Sequence, residues 1–191
     1  MVANPTRSII TGHCGDVVWL SVEGPGSKEN SADVVKFIEP EIEYGRTRFV
    51  VDLEDCTGLD STFMGMLLGV SKRLSRIQQG CLHIINARGR NAQLLRGLGV
   101  HYFCSLSEDA GPFDGHPDTE ACKCQTSDGV LVSKEAVVDR SELIHHSLSK
   151  GEQTEHCLNA HRELCSISQS NQEKFQDVVD LMGQKLRQLQ Q

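Results

Sequence analysis

The first 106 residues alternate between short apolar runs and longer amphipathic stretches. Runs that alternate apolar and polar positions, or that are β-branched throughout, indicate strands. Gly15-Asp16, between the first two runs, is typical of a hairpin turn. We therefore predict strands over residues 8–14, 16–22, 48–53, 81–85 and 101–106.

Helical stretches separate these strands. The most regular one has an apolar residue at every third or fourth position, which directs one stripe toward a core. That stripe consists of Phe63, Leu67, Val70, Leu74 and Ile77. An earlier helix is predicted to begin at a cap formed by Asn30 or Ser31 and to stop at Tyr44-Gly45, and a short helix spans residues 91–98. The order ββαβαβαβ predicts an α/β fold, a mixed sheet with helices covering one or both faces.

Glycines and polar positions refine this outline. Gly24-Pro25-Gly26 is expected to end the second strand, and residues 54–59 are expected to form a polar loop. Gly65 and Gly69 lie inside the regular helix, where each is unfavourable by roughly 1 kcal/mol relative to alanine. Their presence predicts that a neighbouring backbone approaches this helix closely.

A change of composition divides the chain. Residues 107–129 are rich in Asp, Glu, Gly, Pro, Ser and Thr and contain almost no apolar side chain. Such a stretch is typical of a linker or a long surface loop. We predict an α/β domain over residues 1–108, a linker over residues 109–130 and a C-terminal all-α extension over residues 131–191.

The extension is predicted to contain three helical segments. They span residues 133–149, residues 152–168 and a last stretch opened by Ser170, with Glu173 at the capping-box position. An apolar stripe on the last helix is too large to face water; it consists of Phe175, Val178 or Val179, Met182, Leu186 and Leu189. We expect it to pack within the tail, with a homodimer through the tail as the second choice. The expected contacts are Val137, Ile144, Leu148, Leu158 and Leu164.

Composition disfavours two classes of partner. The formal net charge of −7, from 19 basic and 26 acidic residues, gives no general attraction to nucleic acid or anionic lipid. Aromatic residues make up 5% of the chain, which leaves little to stack on bases. No apolar run approaches the roughly 18 residues of a membrane span, and the first residues lack the order of a signal peptide. We predict a cytoplasmic protein that binds neither nucleic acid nor membrane.

Cysteine and histidine spacing gives weak metal signals. The eight cysteines lack the spacing of a disulfide framework, and several lie in apolar runs, so reduced thiols are expected. Cys157, His161 and Cys165 recur every four residues, but a half-buried helix face is favoured over a zinc site. Cys122-Lys123-Cys124 with His116 lacks the paired CxxC of a zinc site. We predict no metal and no cofactor.

The most informative segment runs from Asp52 to Gly65. Asp60 precedes the regular helix, where its carboxylate can accept hydrogen bonds from the first free amides. Ser61 follows in the first turn, near the positive end of the helix dipole. That position tolerates the roughly 1.5 to 2 negative charges of a phosphate. The residues permit either a phosphorylation site at Ser61 or a simple helix cap.

Ser61 could also be considered as a catalytic nucleophile. No G-x-S-x-G elbow surrounds it, and the sequence indicates no base that would activate it. Glycine-rich phosphate cradles of the P-loop or Rossmann type are also missing. We therefore predict that the protein is not an enzyme.

The same segment resembles the signature of STAS domains, the anti-sigma factor antagonist family. In that signature, a strand ending in an acidic residue leads through a polar loop into Asp-Ser, a small residue, Gly, an aliphatic residue and Gly. The resemblance covers residues 8–106 and extends to residues 94–100, which are similar to the family's leucine-rich helix ending in a Gly-aliphatic pair. Two positions depart from it: Phe63 stands where Gly is usual, and Gly24-Pro25-Gly26 replaces an acidic stretch.

The resemblance implies a STAS-like fold and a regulatory protein that binds an anti-sigma factor or a serine protein kinase. It implies that a cognate kinase phosphorylates Ser61 and thereby weakens partner binding. It also places Asp60, Thr62 and Met64 in the switch or the partner-binding surface. The alternative is a STAS-type scaffold or oligomerisation module without a phosphoswitch, in which the helical tail makes the functional contact.

Overall fold

The computed structural model describes residues 8–109, Thr126 and residues 132–190. Its strands are β1 (Ser8–Cys14), β2 (Val17–Gly26), β3 (Arg48–Asp52), β4 (Cys56–Leu59), β5 (Cys81–Ile85), β6 (Ser105–Leu106) and β7 (Val138–Glu142). Its helices are α1 (Lys28–Glu43), α2 (Ser61–Leu74), α3 (Gly89–Gly97), α4 (Lys150–Cys165) and α5 (Gln169–Leu189). Within these residues, no helix has the length and apolar character needed to cross a lipid bilayer.

A mixed sheet organises the fold, with strand order β6-β5-β3-β2-β1-β7. Strands β1 and β2 form an antiparallel hairpin about Gly15-Asp16, whereas β2, β3, β5 and β6 run parallel. Strand β7 pairs antiparallel with β1 at one edge. The predicted mixed sheet is confirmed, as are the hairpin and the bounds of β1 and β5.

Helices α1, α2 and α3 pack on one face of this sheet. Their side chains join those of the central strands in the larger core, which includes Phe49, Leu67 and Ile84. The opposite face carries a smaller cluster that contains Trp19 and Val137. Both faces are thus removed from water, as strands that are apolar throughout require.

Gly24-Pro25-Gly26 continues β2, so the prediction that it ends the strand is wrong. Residues 56–59, expected to lie in a loop, form β4 and pair in parallel with this end of β2. The register shifts at Pro25, an irregularity that accommodates a residue without an N–H donor. A side chain at Gly26 would overlap Leu59, so the glycine allows β4 to approach.

Residues 133–149 do not form the predicted helix. They contain a short 3-10 turn and β7, whose side chains are all exposed and whose backbone pairs with the edge of β1. Unpaired edge amides and carbonyls favour such pairing. The carboxylate of Asp33 in α1 holds the residues that follow. Its Oδ2 lies 2.7 Å from Nδ1 of His145, and its Oδ1 accepts a hydrogen bond from the amide of His146 at 3.1 Å. These nonlocal bonds outweigh the weak helical spacing of this segment.

The N-caps of α1 and α5 lie earlier in the chain than predicted. The amide of Ser27 donates to Oδ1 of Asn30 at 2.9 Å, so Asn30 lies inside the first turn of α1 instead of preceding it. The hydroxyl of Ser168 accepts from the amide of Asn171 at 3.2 Å and caps α5 two residues before Ser170. In both cases a serine earlier in the chain forms the N-cap. The local sequence does not distinguish between the residues that could cap each helix.

Helices α4 and α5 form a helical hairpin that packs on α2 through α4. The expected C-terminal helical extension is therefore confirmed for this part of the chain. Leu158 and Leu164 are buried, as predicted, and Leu164 belongs to the larger core. Ile144 is 72% exposed, so its expected role in packing the tail is wrong.

The apolar stripe of α5 is incompletely covered. Phe175 packs against the larger core. Toward the end of the helix, Leu189 stays 45% exposed and the neighbouring Leu181 61%. The expectation that the whole stripe is buried is therefore wrong at Leu189, in the last turn of α5.

Candidate functional site

Asp60 caps two helices at once. Its Oδ1 accepts a hydrogen bond from the amide of Phe63 at 2.8 Å, which caps α2 as predicted. Its Oδ2 accepts from the amide of Lys28, the first residue of α1, also at 2.8 Å. A carboxylate suits both positions because the first amides of a helix lack intrahelical partners and form the positive end of its dipole. Asp60 therefore fixes the starts of α1 and α2 side by side.

Ser61 is the first residue of α2, and its hydroxyl contacts α4. Its Oγ lies 3.0 Å from Nε2 of His161. The other ring nitrogen, Nδ1, lies 2.8 Å from the carbonyl oxygen of Cys157. Because a carbonyl can only accept, Nδ1 carries the proton, and the neutral ring accepts at Nε2 from Ser61. The side chain of Ser61 is thus free of the helix cap and half-buried beneath α4.

Two further polar contacts lie beside this pair. Oγ1 of Thr62 lies 3.5 Å from Sγ of Cys157, and Oγ of Ser31 in α1 lies 2.8 Å from Nε2 of His156. Cys157 and His161, four residues apart, lie on the side of α4 that faces α2, and His156 points toward α1. Helix α4 therefore lies across the N-termini of both α1 and α2.

The backbones of α2 and α4 approach each other very closely. A methyl group at Gly65 would overlap the carbonyl of Ala160, and one at Gly69 would contact Glu163. Glu163 also pairs with Lys72 of α2 at 2.8 Å. The close approach predicted from the two glycines is confirmed, and α4 supplies the approaching backbone.

The two histidines of α4 have opposite pKa shifts. Burial lowers the pKa of His156 below its ordinary value, against the attraction of Asp33 and Asp60 for the charged ring. Burial also opposes protonation of His161, but hydrogen bonds to the thiol and carbonyl of Cys157 outweigh it and raise the pKa. The same contact with His161 lowers the pKa of the Cys157 thiol.

Ser61 and His161 have the separation of a nucleophile and its base. The expectation that no base lies beside Ser61 is therefore wrong. His161, however, is only 4% exposed. A groove of about 250 Å³ lies between α1, α2 and α4, and neither member of the pair lines it. The pair is shielded while α4 is in place, and it is better suited to holding this helix than to turning over a substrate.

Within residues 8–109 and 132–190, cysteine, histidine and acidic side chains do not gather into a metal centre. Cys157 contacts His161, whereas Cys165 lies two turns further along α4. All three belong to a helix face that is buried or half-buried, in agreement with the favoured interpretation of their spacing. Cys122-Lys123-Cys124 and His116 lie outside the described residues.

The segment that carries Asp60 and Ser61 matches a known family. Residues 8–110, more than half of the chain, match the model of the STAS domain. The chain belongs to the STAS domain family. The predicted family is therefore confirmed. Helices α4 and α5 lie beyond the matched residues, so the helix that covers Ser61 is an addition to the STAS domain of this chain.

Two solved structures resemble this STAS fold. One is a candidate anti-sigma factor antagonist of Thermotoga maritima, 18% identical, with a TM-score of 0.47 over 51% of this chain and 83% of that chain. The other is the anti-sigma factor antagonist SpoIIAA in its unphosphorylated form, 18% identical, with a TM-score of 0.45 over 55% and 89%. No curated protein sequence matches the chain.

The two departures from the STAS signature contact each other. A methyl group at Gly26 would stand 3.1 Å from the ring of Phe63, closer than ordinary packing allows. The large side chain at the start of α2 is thus accommodated because the end of β2 has none. The paired departures leave the backbone at Asp60 and Ser61 in the capping geometry described above.

The four residues expected to form the STAS switch differ in how exposed they are. Asp60 and Ser61 are half-buried at the start of α2. Thr62 lies beneath α4 and is 4% exposed. Met64 is 3% exposed and packs in the larger core, so its side chain supports α2 from within.

Proposed function

We propose that this protein is a regulatory binding protein of the anti-sigma factor antagonist type, switched by phosphorylation of Ser61. Its partner in this proposal is a serine protein kinase or an anti-sigma factor in the cytoplasm. Phosphorylation weakens the complex, and the chain itself performs no catalysis.

One observation carries the proposal: Ser61 begins α2 in a STAS domain, and its hydroxyl is not used by the helix cap. Asp60 supplies the cap, so a modified Ser61 leaves the helix start intact. The free amides and the dipole of α2 tolerate an added anion at this position. A phosphate there changes the charge of the surface by roughly 1.5 to 2 units without breaking the fold.

The test is the phosphorylation state of protein isolated from its native cells. Intact mass and peptide mapping are expected to find one phosphate, on Ser61, in part of the population. Co-expression with candidate serine kinases of the same cells should reproduce it. Ser61→Ala should abolish the modification, and Ser170→Ala, which removes an exposed serine from the first turn of α5, should not.

A second function is favoured by the exposed apolar side chains of α5. In this alternative the chain is a STAS-type scaffold, Ser61 stays unmodified, and the helical tail binds a second copy. Leu181 and Leu189 supply the surface. Light scattering would then give a dimer that Leu181→Glu converts to a monomer, while native protein of unmodified mass would exclude the phosphoswitch.

A further inference from the structure

The surface of α2 under α4 is a docking site for a helix. Its two glycines remove the side chains that would hold another backbone away, and Ala160 presents a small residue at the point of closest approach. Side chains of α4 flank that point on both sides, since Glu163 pairs with Lys72 and His161 reaches Ser61. The site accepts an amphipathic helix with a small central residue, and α4 is its occupant in this chain.

Ser61 lies half-buried at the rim of this docking site, with the ring of His161 against its hydroxyl. With the serine hydroxyl directed at α4, as it is here, a phosphoryl group bonded to Oγ overlaps the volume of the His161 ring, because only 3.0 Å separates Oγ from Nε2. The imidazole cannot easily swing aside, since Nδ1 is held by the Cys157 carbonyl and the ring packs edge-on against Phe175 at 5.5 Å. In this arrangement the phosphate displaces α4 and not the imidazole alone.

The charge of Asp60 acts in the same direction as volume. The carboxylate of Asp60 is fixed beside Ser61 by its two backbone hydrogen bonds and cannot move away from a second anion. Exposing the phosphate to water lowers this repulsion, whereas burying it beneath α4 would remove that hydration. The neutral form of His161, which accepts from the hydroxyl, also loses its donor when the hydroxyl is esterified.

We infer that the phosphate on Ser61 and the docked α4 exclude each other, so that phosphorylation releases the helical hairpin from α2. The inference rests on the proposed function only in that it concerns the same serine. In the unmodified chain α4 is docked and Ser61 is covered, and a kinase acts on the fraction of molecules in which the helix is away. The phosphate then keeps that fraction open, which is a shift of a two-state equilibrium.

The experiment introduces phosphoserine at position 61 of the full chain during synthesis, so that no kinase is needed. Hydrogen–deuterium exchange is read by mass spectrometry. Amides of α4 are expected to exchange at least tenfold faster than in the unmodified chain, while those of β3 and β5 keep their protection. The matched control has phosphoserine at position 170, an exposed residue in the first turn of α5, and should leave α4 protected. Equal protection of α4 with and without phosphate at Ser61 would overturn the inference.

A chemical crosslink gives a second, independent measurement. Because Oγ1 of Thr62 lies 3.5 Å from Sγ of Cys157, Thr62→Cys should form a disulfide with Cys157 under mild oxidation. The crosslink should form readily in the unmodified chain and at least tenfold more slowly when Ser61 is phosphorylated, and Thr62→Cys with Cys157→Ser should not form it. Equal rates would contradict release. If protein from native cells carried no phosphate, the proposed function would be wrong, but the mutual exclusion of a phosphate on Ser61 and the docked α4 would not be affected.

Discussion

Oδ2 of Asp60 and the backbone amide of Lys28 lie 2.8 Å apart, although 32 residues separate them in the chain. The same carboxylate caps α2 through Phe63. One side chain thus sets the relative position of two helix N-termini, and α4 lies across both. The geometry around Ser61 depends on this double cap.

Replacing Asp60 should therefore cost more than the loss of one cap. A helix N-cap contributes about 1 kcal/mol, so Asp60→Ala is expected to lower the free energy of unfolding by about 2 kcal/mol. Asp60→Asn keeps a single acceptor oxygen and should lie between Ala and wild type. Urea unfolding followed by circular dichroism measures the series, and equal stability of Asn and wild type would show that only one of the two caps matters.

Gly65→Ala tests the contact between α2 and α4. The added methyl group meets the Ala160 carbonyl, and such overpacking costs about 1 to 3 kcal/mol. We expect α4 to lose amide protection while the strands of the sheet keep theirs. Gly97→Ala, at the end of α3 with open space around it, is the matched control and should be neutral or slightly stabilising. Two variants of equal stability would contradict the close packing.

The opposite pKa shifts of two histidines predict opposite pH dependences. The pKa of His156 is lowered by burial, so its stability contribution is present above the unfolded pKa of about 6.5 and is lost as the pH falls through the lower folded value. His156→Gln should reduce the loss of stability on the acid side. Urea midpoints between pH 5 and pH 8 measure it, and an unchanged acid slope would contradict the prediction.

His161 should behave in the reverse sense. Its raised pKa means that its contribution is fully present below about pH 6.5 and is lost as the pH rises through the higher folded value. His161→Gln should therefore flatten the decline of stability above pH 6.5. It should not change the loss of stability at acid pH, which depends on His156. For each variant, the difference in free energy of unfolding from wild type is plotted against pH. The two plots are expected to slope in opposite directions.

Thiol reactivity should separate two cysteines. The hydrogen bond with His161 lowers the pKa of Cys157, which is half-buried, whereas burial raises the pKa of Cys104 to about 12. Since the thiolate is the reactive form, iodoacetamide at pH 8 should alkylate Cys157 before Cys104 in the folded chain. Peptide mass mapping over time gives the order. His161→Gln should slow the reaction of Cys157, and faster labelling of Cys104 would be inconsistent with these environments.

The predicted boundary between an α/β domain over residues 1–108 and the tail can be tested by truncation. Residues 1–110 are expected to remain folded by circular dichroism, with a lower melting temperature because β1 loses its partner β7 and the core loses Leu164. Residues 1–149 retain β7 and should recover the edge-strand part of that loss. An unfolded 1–110 fragment would show that the tail is part of the core.

The sequence was most informative where structure depends on local residues. Strand β5 has the predicted bounds because its apolar run is closed by Gly80 on one side and a polar residue, Asn86, on the other. The cap that Asp60 forms on α2 could be predicted because capping chemistry is local. Strand β7 could not be found in this way, since all its side chains are exposed and its stability comes from backbone bonds to β1.

His161 was missed for the same reason. One hundred residues separate it from Ser61, and their contact exists only because α4 packs on α2. Two signals were present: the glycines of α2 predicted a close neighbour, and Cys157 and His161 marked one face of a later helix. Neither signal specifies the other as its partner, because helix pairing depends on shape complementarity that residue spacing does not encode.

Strand β7 has a consequence for any movement of α4. It stays bonded to β1 when the helical hairpin leaves α2, and only residues 143–149 separate its end from the start of α4. A tether of that length, itself held to α1 by Asp33, keeps the detached helix at an effective concentration on the order of millimolar beside its site. Rebinding is then intramolecular and independent of protein concentration, so removal of the phosphate alone would return the molecule to its covered state.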